Sequence, residues 1–283
     1  MNRRRAEEII ARILMAAATA VILAVLVLIL VTVFVRGLPA LDLDMVTRTP
    51  QGGYYLGKEG GILNAILGSL YLSGGATVLA LLISLPVAVF LNLYTRRGSR
   101  TAAAARFSLD VLWGIPAIVY GAFGFTILLA FGLRASLLGG IVTVALLIFP
   151  IMCRAMDESI RMMPEGLFTA SYALGATRLE TALKVVIRQC LPGFLTAVLI
   201  AFGRGIGNAA AVIFTAGFSD SLPVSLFRPA ATLPLAVFFQ LGTPFPEVQD
   251  RAYASALILT LIILSISVLS RFLTRKFTGN IIK

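Results

Sequence analysis

Arg204 is the only basic residue deep within a predicted apolar span of this chain. A charge at that depth is costly unless it faces protein or water, so intramembrane ionisable residues are functional candidates by default. A guanidinium there suits a tetrahedral oxyanion, because its planar fork donates two hydrogen bonds to adjacent oxygens. Asn208, four residues on, is expected to share its helix face and to add a neutral amide beside the charge. The structural alternative is an arginine satisfied by neighbouring carbonyls. Gly203 and Gly207, also four apart, are read as positions of close helix packing rather than of substrate contact.

A second group of residues forms a polar island between two apolar spans, from Met163 to Arg178, with Leu191, Pro192 and Gly193 beyond it. Pro164 fits the start of a helix, where its missing N–H costs nothing, and Glu165 sits well at the positive end of the dipole. Thr169, Ala170 and Ser171 are small, and Gly175 can close the helix in a left-handed conformation. The pattern therefore predicts a short exposed helix and a sharp turn, then a second short helix over Thr177 to Lys184 that returns the chain to the membrane. Small exposed residues would let the groove of another protein approach the backbone closely. A purely structural loop is the alternative from spacing alone.

Other chemistry lacks its parts. With no histidine and two separated cysteines, a zinc site or a histidine-based acid/base mechanism has no ligands to use. Cys153 and Cys190 both fall near span ends expected to face a reducing cytosol, so no disulfide is expected. The stretch Gly52 to Lys58 has phosphate-loop spacing, but Glu59 stands where Ser or Thr should hold magnesium, and no strand precedes it. No nucleotide site of the chain's own is expected, and no cofactor. An ion-driven carrier needs carboxylates near the midplane, whereas the predicted spans offer only Asp110.

These residues are held by an integral membrane protein. The chain is 59% hydrophobic and 13% charged, with a mean hydropathy of +0.95, and its apolar runs are longer than a soluble core requires. Ile13 to Val35 is uncharged, long enough to cross a roughly 30 Å hydrocarbon layer, and too long for the apolar part of a cleaved signal. Similar runs near Asn64 to Tyr94, Phe107 to Phe131, Leu137 to Cys153, Val185 to Thr215 and Ala252 to Phe272 bring the expected helices to six. With a cytosolic amino terminus, the inside segments hold 16 of the 24 Lys and Arg residues and the outside segments 6, so both termini are expected in the cytosol. The net charge of +11 then reads as a sorting and lipid-headgroup signal, and nucleic acid is not an expected partner. Pro86 in the second span, and Gly114 with Pro116 in the third, are expected to kink or break their helices and to act as gates. The proline-rich segment from Phe218 to Arg251 is read as external, suited to meeting a binding protein or plugging a pathway, with Leu233 to Leu241 as a re-entrant candidate.

The run Ala170 to Arg178 resembles the coupling motif of ABC importer permeases, Glu-Ala-Ala, three residues, Gly, nine residues, aliphatic, one residue, Leu, Pro. Gly175 holds the glycine, Val185 the aliphatic and Ile187 the leucine, while Thr169, Ser171 and Arg188 stand where the motif has glutamate, the second alanine and proline. Gly60 to Ile62, Gly68 to Tyr71, Leu112 to Gly124, Leu191 to Gly193 and Arg204 to Gly207 are similar to PstA-type permeases of the phosphate importer, a likeness covering roughly residues 60 to 275. It implies an all-α, type I ABC importer-like permease of the cell inner membrane. Residues 1–62 would hold the first span and an external loop, residues 63–275 the core with its coupling loop at 154–184, and residues 276–283 a tail. It also implies that Pro164, Thr169, Ala170, Ser171, Gly175, Ala176 and Thr177 couple to ATPase subunits. The implied partners are a second permease (PstC-like), two ATP-binding subunits (PstB-like) that hydrolyse the ATP, and an external phosphate-binding protein (PstS-like). After the arginine and Ile-Gly the family usually continues with Glu-Thr-Ala-Pro, where this chain has Asn208, Ala209, Ala210 and Ala211. Permeases for phosphonate, sulfate or molybdate, and a secondary carrier, therefore stand beside phosphate as alternatives.

Overall fold

Apolar runs of this length leave the backbone no partner in lipid except itself, and the chain resolves that constraint almost wholly with helices. A computed structural model describes residues 3–52, 54, 60–96 and 98–278. The remainder, including most of the Gly52 to Glu59 stretch and the last five residues of the tail, lies outside the described residues. The elements are α1 (Arg3–Gly37), α2 (Leu43–Thr47), α3 (Leu63–Val89), α4 (Arg100–Gly114), α5 (Ala117–Ala130), α6 (Leu137–Arg161), α7 (Glu165–Ala173), α8 (Arg178–Glu180), α9 (Ile187–Ile206), α10 (Leu233–Leu241) and α11 (Pro246–Thr278). Two π-helical segments interrupt the regular winding, Phe90–Tyr94 at the end of α3 and Thr181–Val186 between α8 and α9.

Among the described residues, five helices are long and apolar enough to cross a membrane: Glu7–Gly37, Leu63–Tyr94, Leu137–Arg161, Arg178–Ile206 and Pro246–Phe272. The sixth expected span is not one straight helix. Its residues form the pair α4 and α5, apolar enough together to enter the membrane but bent by 98° where Gly114 ends one helix and Pro116 caps the next, the geometry of a broken span or a re-entrant loop. Proline cannot donate a backbone hydrogen bond, and the residue before it is driven out of the helical region. Ile115 is accordingly extended, with ψ 130. Pro86 behaves differently, since α3 runs through it without a break into the π segment, where the Phe90 N–H is shared between the Pro86 and Val87 carbonyls.

At the centre lies α6. Val144, Ile148, Met152 and Met156, spaced by four and therefore on one face, have none of their surface exposed. The facing side of α3 is built of small residues, Ala76, Ala80, Ser84 and Ala88, all fully buried. Lipid is as apolar as these side chains, so close approach and dispersion, not water exclusion, hold the pair. In contrast, α1 buries nothing in its apolar stretch. It leans on α11 at its end, where Gly37 meets the Tyr253 backbone and Arg36 lies 5.0 Å above the Tyr253 ring.

The end of the bundle away from α7 is closed by the segment after α9. α10 is packed between α3 and α11, with Leu233, Leu235, Ala236 and Gln240 buried. Ser69 on α3 accepts the Leu233 N–H at 2.7 Å, and Gly68 lies against the Ala231 carbonyl so closely that a Cβ would collide with it. Tyr54, between α2 and α3, lies beneath Arg251, whose guanidinium stands 4.7 Å above its ring, and burial pushes the phenol up to about 12.

Gly68→Ala is expected to destabilise the purified protein by about 1–3 kcal/mol, the usual range for overpacking. A drop in the thermal unfolding midpoint in detergent checks this, and an unchanged midpoint would mean that the 228–233 segment is not seated on α3.

Candidate functional site

Two regions gather the candidate residues, the loop after α6 and the end of α9. In the loop, Pro164 stands just outside α7 as its cap residue, with its carbonyl accepting the Leu167 N–H, and Glu165 occupies the first turn. Thr169 and Ala170 are exposed, as the spacing predicts. Ser171 is not: it is buried and its hydroxyl is 2.8 Å from that of Thr181, which has no exposed surface. The expectation of an outward-facing Ser171 is therefore corrected, because a hydroxyl at this position finds a partner across the turn.

The turn itself is a Schellman arrangement. Gly175 has φ +79, its N–H donates to the Tyr172 carbonyl at 3.0 Å, and the Ala176 N–H donates to the Ser171 carbonyl at 3.2 Å. Thr177 then opens a capping box, accepting the Glu180 N–H at 3.2 Å while the Glu180 carboxylate accepts the Thr177 N–H at 2.9 Å. The separate short helix expected over Thr177 to Lys184 does not form. Residues Arg178–Ile206 make one continuous run in which the π segment Thr181–Val186 absorbs the irregularity.

Arg204 lies in the last turn of α9 and is half-buried, with no hydrogen-bond or ion-pair partner among the described residues. Its depth can be read from its neighbour. A Cβ on Gly205 would sit 3.2 Å from Val144 and 3.8 Å from Ile148, seven and eleven residues into α6 from Leu137. At about 1.5 Å per residue, that is near the middle of a roughly 30 Å layer. The tight packing thus falls on Gly205, while Gly203 has open space around it and Gly207 caps the helix.

The helix ends at Ile206, nine residues short of the expected boundary at Thr215. Asn208 consequently does not share a helix face with Arg204. Its Oδ1 accepts the Ala211 N–H at 2.8 Å and organises the turns that carry the chain away. Irregular backbone at membrane depth is tolerated where it is buried in protein or lines a cavity. α5 approaches the same region at Gly121, where a Cβ would stand 2.8 Å from the Ala210 carbonyl and 2.9 Å from that of Ala211.

Sequence reasoning misses the best-paired charges among the described residues. Asp157, wholly buried, accepts from Arg106 Nε and Nη2 at 2.9 Å each, from Arg154 Nη1 at 3.0 Å and from Asn92 Nδ2 at 2.8 Å. Arg154 Nε also reaches Asp110 at 2.7 Å. The two acids and two arginines make a neutral group that joins α6, α4 and the end of α3. Asp157 escapes notice because α6 extends eight residues past the expected end at Cys153, into a stretch whose charges lower its hydropathy. Beside this group, a groove of about 790 Å³ separates the span ends from α7 and is lined by Asn92, Arg96, Arg106, Arg161, Thr169 and Arg178 among others.

Against the family of binding-protein-dependent transport system inner membrane components, residues 80–282 match. The chain belongs to this family. Among relatives of this inner membrane component, the phosphate transport system permease protein PstA of Haemophilus influenzae is 32% identical over 244 residues, covering 86% of this chain and 85% of that protein. PstA 1 of Mycobacterium tuberculosis is 34% identical over 211 residues, covering 74% of this chain and 68% of its own length. A solved structure of the MetNI methionine ABC transporter, in inward-facing conformations, superposes with a TM-score of 0.61 at 22% identity, covering 76% of this chain and 95% of that one. The type I ABC importer permease fold and the multi-pass membrane location expected from the sequence are thereby established.

Ser171→Ala, which restores the alanine of the family motif, is expected to leave the Thr181 hydroxyl unpaired and to loosen the turn by about 1–2 kcal/mol. Hydrogen exchange at the Ala176 and Thr181 amides would quicken about five- to thirtyfold; unchanged protection would mean that the hydroxyl pair does not hold the loop.

Proposed function

We propose that this chain is the permease subunit that forms half of an inorganic phosphate pathway, is driven by separate ATPase subunits, and binds no cofactor itself. The observation that carries the substrate path is Arg204: a guanidinium at mid-depth with no partner among the described residues, beside the place where α9 stops. A charge held there without a carboxylate is ready for an oxyanion, which its fork can bind through two oxygens. The relatives' names supply phosphate as that oxyanion. Asn208 acts one step removed, by shaping the backbone next to the arginine.

The coupling part of the reading rests on α7. Its exposed Thr169 and Ala170, bounded by Pro164 and by the Gly175, Ala176 and Thr177 turn, present a compact face at the end of the bundle where Arg and Lys are concentrated. Under the positive-inside rule that end and both termini are cytosolic, and α7 occupies a groove on an ATP-binding subunit. Gly114 and Pro116 make the elbow of the α4–α5 pair and serve as a gate, with Pro86 a secondary irregularity. A second permease, two ATP-binding subunits and an external phosphate-binding protein complete the assembly, and the chain performs no chemistry on its cargo.

Arg204→Ala should lower uptake of radiolabelled phosphate into proteoliposomes by at least about thirtyfold, the lower end for removing one partner of a desolvated charge contact. The ATPase should still co-purify, and wild-type flux would remove Arg204 from the pathway. Gly175→Val forces a β-branched residue into the left-handed region at a cost of roughly 1–2 kcal/mol or more. It is expected to leave ATP hydrolysis running while import fails, and intact import per ATP would refute the coupling role of the turn.

A further inference from the structure

Besides the direct packing of α6 on Gly205, a second continuous path joins the two sites through residues outside the coupling motif. Asp157 stands on α6, eight residues before α7 begins, with every carboxylate oxygen saturated by two donors, and Arg106 binds it bidentately from α4. Such a fork fixes the relative position of two helices in direction as well as in distance. Arg154, held by both Asp157 and Asp110, doubles the attachment of α6 to α4. Four residues beyond Asp110, α4 ends at the elbow. There the Tyr120 hydroxyl, on α5, donates to the Leu112 carbonyl on α4 at 2.8 Å, tying the two arms of the 98° bend together. Adjacent to Tyr120, Gly121 lies so close to the turn after α9 that a Cβ would stand 2.8 Å from the Ala210 carbonyl and 2.9 Å from that of Ala211. That turn is the one Asn208 organises, four residues beyond Arg204.

We propose that Asp157 and Tyr120 are positioning residues that make α4 and α5 a rigid bent strut, carrying displacement of α7 and α6 to the backbone beside Arg204. This inference rests on the reading of α7 as the ATPase-coupling helix. Neither residue needs to touch phosphate. Displacement of α6 is passed to α4 because the bidentate pair cannot slide without breaking hydrogen bonds to a buried charge. The elbow passes it on because its angle is tied by a hydrogen bond. Packed side chains and hydrogen-bonded elements of this kind are the physical carriers of coupling between distant sites.

The test measures phosphate imported per ATP hydrolysed by the complete importer in proteoliposomes supplied with its binding protein, a ratio that a merely destabilised but functional complex leaves unchanged. Tyr120→Phe removes one hydroxyl and is expected to lower the ratio about fivefold, the equivalent of one hydrogen bond. Asp157→Asn preserves shape and removes the charge, and is expected to lower it about tenfold or more. Because both act on one path, the double variant should be no worse than Asp157→Asn alone. A wild-type ratio in Tyr120→Phe, or an additive loss in the double variant, overturns the strut. If Asp157→Asn does not assemble, Tyr120→Phe decides by itself. Gly175→Val run in parallel separates the two readings: if it uncouples while Tyr120→Phe does not, the strut fails and the α7 reading stands, whereas if it stays coupled the α7 reading fails.

Discussion

Backbone amides and carbonyls in a hydrocarbon layer have no water to turn to, and both interrupted helices of this protein are shaped by that constraint. Where α4 stops at Gly114, the Leu112 carbonyl accepts from the Tyr120 hydroxyl. Where α9 stops at Ile206, the Asn208 side chain accepts the Ala211 amide. Each break is thus closed by one polar side chain a few residues further along. Irregular chain can therefore persist at the depth where Arg204 stands, and without it a straight helix would carry the arginine past the bundle with no turn behind it.

Much of the architecture is legible in the sequence because its signals are local. Pro164 and Gly175 bound α7 to within about a residue, since a missing N–H and a positive φ are each demanded by one position. Five of the six expected spans come directly from run length as single helices, and the other is the bent α4–α5 pair. Sequence reasoning fails where tertiary context decides. Gly203, Gly205 and Gly207 form a string in which nothing local says which one ends the helix, so the expected α9 is nine residues too long and puts Asn208 on the wrong surface. Asp157 lies in a charged stretch that hydropathy assigns to the loop, although its three partners come from residues 92, 106 and 154. Only the fold brings those together. The size of Ser171 suggests an outward face, whereas its hydroxyl and that of Thr181 decide which way it points.

Polar residues in this chain divide by how fully they are engaged. The Asp157 group is saturated and joins three elements, which suits a part that must not yield. Arg204 has no partner among the described residues, which suits a part that must exchange one. The first is reached from the middle of α4 and the second from the elbow at the start of α5, so a short stretch of one bent element separates a permanently neutralised set of charges from an open one.

Handedness sets a last condition at Gly175. Its φ of +79 lies in the left-handed region, yet nothing lies within 4 Å of where a Cβ would be. Bulk is therefore not what the position rejects; an L side chain is refused by its own backbone. A mirror-image alanine introduced by chemical ligation would enter the open space without strain and would stiffen the turn beyond what glycine allows.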